Sequence, residues 1–156
     1  MDGAPLMHFL ESALVQSMKR RLKMKEEVNF KKEVSMGVEG AIEKLTTLLK
    51  GEGFGVLTRI DLHSKVKEKL GKDLKPVVIL GACNPQLAYE AYQANTDVAS
   101  LLPCNAVIRE LQAGRVSVEL AKPSSLMKIL GDQKLVDLAK DADVRLERAL
   151  EQLSEC

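Results

Sequence analysis

Two cysteines stand out by the residues around them. Cys83 lies in Gly-Ala-Cys-Asn-Pro, and Cys104, twenty-one positions further on, in Leu-Pro-Cys-Asn. A thiol is a poor nucleophile and metal ligand until it ionises, and free amides at a helix N-terminus favour the ionised form. Asn84 is a favoured helix cap and Pro85 a favoured first helical residue, so the pattern places Cys83 at such an N-terminus with an expected lowered pKa. Cys104, after Pro103, opens the next strand. Whether the two thiols meet depends on the connection between them. A loop returning to the same edge of the sheet brings them together, whereas a parallel crossover leaves them at opposite ends. Against this stands the plainer reading, in which each cysteine is a small buried hydrophobe. Cys156, at the terminus, reads as a bystander.

Three further residues complete the candidate set. Asn84 brings its own carboxamide. Arg59 and Asp61, two apart on a strand, share one face, where they either line a pocket mouth or form an ordinary surface ion pair. Other constellations are weaker. Gly-Glu-Gly-Phe-Gly at 51–55 precedes a strand, whereas a dinucleotide fingerprint follows one and opens a helix; it reads as a helix stop and tight turn. His8 and His63, the two histidines, lack further ligands at close spacing and make no zinc site. Tyr89 and Tyr92, three apart, read as the edge of a core.

The elements that must position these residues follow from periodicity. An apolar stripe at Leu6, Leu10, Ala13, Leu14, Met18 and Leu22 predicts a helix over 4–25 with cations in its last turns. Its expected place is against its own domain or across a dimer, with a membrane or a partner surface as the alternative. Alternation from Val28 to Val34 predicts a strand, and the spacing of Val38, Ala41, Ile42, Leu45 and Leu49 a helix ending at Gly51. A strand over 54–62 and a short charged helix over 63–70 come next. The continuous apolar run Pro76–Ala82 predicts a buried central strand. A helix from Pro85 to Gln93, a loop, and a hairpin of strands 104–111 and 115–120 across Gln112-Ala113-Gly114 follow. Pro123 opens a short helix, and a long one begins near Asp132. The expected fold is α+β: a mixed, mostly antiparallel sheet of about five strands, helices mainly on one face, with N- and C-terminal helices in addition. The expected organisation is an amphipathic extension over 1–23 and a single domain over 24–156.

Composition narrows the function. A length of 156 residues suits one domain that buries about 70% of its unfolded surface and needs no staples. A net charge of +1, with three Phe, two Tyr and no Trp, argues against nucleic-acid binding, which calls for a basic excess or stacking rings. An odd count of three cysteines and no secretory leader pattern point to the cytoplasm. No run approaches a membrane span. No cofactor follows from the residues.

The runs Gly53-Phe54-Gly55-Val56-Leu57-Thr58-Arg59-Ile60-Asp61, Val78-Ile79-Leu80-Gly81-Ala82-Cys83-Asn84-Pro85 and Leu101-Leu102-Pro103-Cys104 together resemble the bacterial and archaeal family called domain of unknown function 302, over roughly residues 28–130. A proline motif after the hairpin is similar at Ala121-Lys122-Pro123. The resemblance implies a compact α+β fold whose protomers pair as dimers, and it implies no activity. The leading expectation is a homodimeric binding module. Cys83, Cys104 and the amides after Asn84 would take a small anion, a soft metal ion held by the two cysteines, or a sulfur species. The rivals are a thiol-disulfide or sulfur-transfer enzyme, with Cys83 attacking and Cys104 resolving, and an interaction protein with inert buried thiols.

Overall fold

The computed structural model describes residues 12–18 and 27–154. Residues 12–18 are helical (α1) and exposed throughout, so within them the apolar stripe does not pack on the rest of the domain. The remainder of the 1–23 extension, with His8, lies outside the described residues, as does Cys156.

Alternating apolar and polar residues, and in β3 a continuous apolar run, build five strands: β1 (Asn29–Val34), β2 (Gly55–Asp61), β3 (Val77–Cys83), β4 (Cys104–Gln112) and β5 (Arg115–Ala121). They form one sheet in the order β1-β5-β4-β3-β2, and every pairing is antiparallel. The apolar run of β3 therefore lies beside the β2 edge, and β4 takes the centre. Gly114, with φ of 78°, supplies the left-handed residue in the β4–β5 turn.

The helices α2 (Val38–Gly51), α4 (Pro85–Ala94) and α6 (Gln133–Gln152) supply the apolar layer. Between them lie α3 (Leu62–Leu70), which presents no buried residue, and the short α5 (Pro123–Met127). The segment expected as a loop before β4 holds a 3₁₀ helix, Thr96–Leu101, capped by the Asn95 side chain on Asp97 N.

Two hydrophobic clusters result. The larger joins Val34, Leu80, Ile108, Val118 and Leu120 of the sheet to Leu45 and Leu49 of α2 and Leu146 and Leu150 of α6. The smaller joins Ala91 of α4 and Val98 to Met127, Leu135, Val136 and Ala139. α6 serves both: its C-terminal half covers the sheet, and its first turns cover α4. The seam between the clusters is where the site lies.

Candidate functional site

The antiparallel pairing of β3 with β4 settles the connection that the spacing left open. Cys83 ends β3 and Cys104 begins β4, so both lie at the same end of the sheet. The register pairs Cys104 with Ala82, and Cys83 with Gly55 of β2. Successive residues of a strand point to opposite sides. Cys104 therefore shares the helix-covered face with Ala82, while Cys83 starts from the other. Both thiols are free. A cross-strand disulfide would favour directly opposed residues on one face, and this register does not supply them.

Asn84 caps α4 as its sequence suggests: its carboxamide oxygen accepts from Leu87 N at 3.1 Å, and Pro85 fills the first turn. Its amide nitrogen faces the turn after α2. There Gly53 has φ of 84°, and a β-carbon would lie 2.9 Å from Asn84 Nδ2. Only glycine fits that turn against the cap.

Above Cys104 lies a cavity of about 50 Å³ that opens to solvent, bounded by Phe54, Ala82 and Ala142 from the larger cluster and by Ala91, Met127 and Leu135 from the smaller. Among the described residues that line it none carries a charge, and Asn84 supplies its one amide side chain. Its far walls, Leu135, Ala139 and Ala142 of α6, follow an ordinary apolar helical spacing that carries no other mark in the sequence.

This setting reverses the expected electrostatics. Burial raises the Cys83 thiol. It pushes Cys104 up to about 11, with smaller contributions from Cys83 and from Asp143. The helix N-terminus was expected to lower Cys83. Its end amides are instead engaged by the cap, with Leu87 N on the Asn84 side chain and Ala88 N on the Asn84 carbonyl at 2.9 Å. Withdrawal from water then decides the sign. Burial thus favours the neutral form of both thiols.

One buried polar pair beside the cavity carries no mark in the sequence. Asp143 of α6 accepts from the Ser124 backbone N at 3.0 Å and from the Ser124 hydroxyl. Both residues are buried, and they tie α5 to α6 beside the pocket wall formed by Pro123. A lone acid within a helical stripe and a serine nineteen residues away give no pattern to find.

Arg59 and Asp61 do share one face, but they lie away from the cavity. Arg59 Nη2 sits 2.9 Å from Asp61 Oδ1 and 2.6 Å from Glu39 Oε1 at the start of α2. The guanidinium's hydrogen bonds hold Glu39 below the usual carboxylate range, and the two acids hold Arg59 more firmly charged. Tyr89 and Tyr92 are 63% and 47% exposed, outside any core edge. His63 Nδ1 lies 3.1 Å from the backbone N of Val77. Among the described residues, no group of three or more His, Cys, Asp or Glu side chains is placed to hold a metal.

Comparison with known proteins gives a family and no chemistry. A family model described as Domain of unknown function DUF302 matches residues 30–153. The match takes in the long final helix, which the sequence resemblance had left outside. The crystal structure of an uncharacterized conserved protein DUF302 from Bacillus stearothermophilus is similar, at 35% identity and a TM-score of 0.75, over 81% of this chain and 98% of that one. No curated protein matches.

Proposed function

Because the chain belongs to the DUF302 family, whose name assigns no reaction, we propose from the site itself a homodimeric binding module whose thiol-edged apolar pocket takes a small, uncharged, polarizable ligand. Of the ligand classes expected from sequence, a neutral sulfur species fits best. The carrying observation is the absence of charge among the described lining residues, together with thiols biased to the neutral form. An anion would lose its hydration against a wall without cations. A soft metal ion would call for thiolates. A sulfur-bearing molecule instead matches the polarizable Met127 and the cysteines, and a cavity of about 50 Å³ admits only a few of its atoms.

Ligand-observed NMR with thiophene and with sulfate tests this reading. Thiophene is expected to bind and sulfate is not, and Ala88→Leu, a half-buried lining position on α4, is expected to abolish thiophene binding. Sulfate binding, or thiophene binding unchanged in that variant, sinks the proposal.

Pairing of protomers is supported by β2. It is an edge strand, with Leu57 65% and Ile60 47% exposed. An unpaired strand edge is a template for another strand, and a two-fold axis lets β2 pair with its own copy. Ile60→Lys is expected to halve the mass measured by light scattering. An unchanged mass removes this edge from the interface.

A further inference from the structure

The cavity above Cys104 is too small for a whole metabolite. A volume of about 50 Å³ holds a few heavy atoms, so the rest of any larger ligand has to lie outside it. A second depression flanks the seam where α4 meets α6, on its solvent side. It is a groove of about 420 Å³, walled by Tyr89, Glu90, Gln93 and Ala94 of α4 and by Lys134 and Leu138 of α6. Leu138 lines both spaces, and it is the one described residue that does. It is half-buried, and a leucine side chain turns between staggered rotamers, so a single side chain divides an apolar chamber from a polar one. The groove sets a carboxylate on one helix and an ammonium on the other. Glu90 Oε1 accepts from Gln86 Nε2 at 2.7 Å, while the Lys134 ammonium meets no partner among the described residues. Tyr89 adds an exposed aromatic wall.

We propose that the ligand of this site is an α-amino acid with a thioether side chain, its sulfur end in the cavity and its ammonium and carboxylate in the groove, on Glu90 and Lys134. The assignment rests on the reading of the cavity as a site for a neutral sulfur group, and it deepens that reading. The part inside carries no charge, as a lining without charged residues requires, and Met127 and the cysteines are its polarizable contacts. The two charges stay outside, each beside a side chain of opposite sign. Exposed ion pairs of this kind contribute little affinity; two of them at fixed positions set the orientation of the molecule. A short saturated linker passes beside Leu138 and joins the two halves.

Ligand-observed NMR with L-methionine, and with thiophene as competitor, tests it. L-Methionine is expected to bind, to displace thiophene, and to give intermolecular NOEs from its S-methyl group to Met127 and from its α-proton to the Tyr89 ring. Lys134→Gln and Glu90→Gln are each expected to weaken L-methionine roughly threefold and to leave thiophene unchanged. Both positions are exposed, so the fold is not at stake. Ala88→Leu is expected to abolish binding of both molecules. Thiophene binding without L-methionine binding overturns the amino-acid assignment and leaves the pocket reading standing, whereas binding of neither removes both. L-Methionine binding that survives Ala88→Leu places the amino acid in the groove alone and overturns the assignment. Binding indifferent to both groove variants does the same, since the groove then holds none of it.

Discussion

The two ends of β3 offer opposite environments. At its C-terminal end, Cys83, Asn84 and the start of β4 are roofed by α4 and α6, and the cavity there is apolar, its burial favouring neutral thiols. Toward its N-terminal end, β2 carries Arg59 and Asp61 into a half-exposed cluster with Glu39. Charge at the open end is balanced by its neighbours and by water, so it costs little and contributes little. At the roofed end no described lining residue could balance a charge. The lesson concerns placement: the same two-residue spacing or the same helix cap does different chemistry depending on what a distant helix lays over it.

The largest test of this contrast is a charge forced into the roofed end. Cys104→Asp is expected to lower stability by about 3 kcal/mol or more at pH 7, read from the urea midpoint, because an unpaired buried carboxylate has to stay hydrated or neutralise. An unchanged midpoint would show that water reaches Cys104 freely. A smaller effect comes from pH. The folded chain keeps the Cys104 proton up to about pH 11, while the unfolded thiol loses it near 9. Stability from this group is therefore complete below pH 9 and falls through the window from 9 to 11. The wild type should lose about 1.4 kcal/mol per pH unit relative to Cys104→Ala across that window. Parallel pH profiles for the two proteins would remove the buried thiol from the account. The smallest effect is expected at the open end, where Arg59→Ala should move the urea midpoint by a small fraction of the Cys104→Asp change. A comparable loss there would erase the distinction between the two ends.

Local rules carried most of the elements. The Asn84-Pro85 start of α4, the Gly114 turn and the apolar face of α6 follow from capping, turn chemistry and periodicity, each complete within a few residues. The sign of the thiol pKa was not legible. It depends on Leu135, Ala139 and Ala142 returning over Cys104, and no local pattern encodes that long-range packing. The register that sets Cys104 opposite Ala82, one residue away from Cys83, was hidden for the same reason. Asp143 and Ser124 became partners only once α5 docked on α6.

The strand order has a consequence for synthesis. β1 pairs with β5 alone, Asn29 opposite Ala121 and Val34 opposite Val116. During translation the first strand leaves the ribosome with Phe30 and Val34 and has no partner until most of the chain has followed. Closing that pairing spans a long stretch of sequence, which slows it relative to the β4–β5 hairpin. For that interval a nascent chain carries an unpaired apolar strand, the kind of segment that chaperones hold.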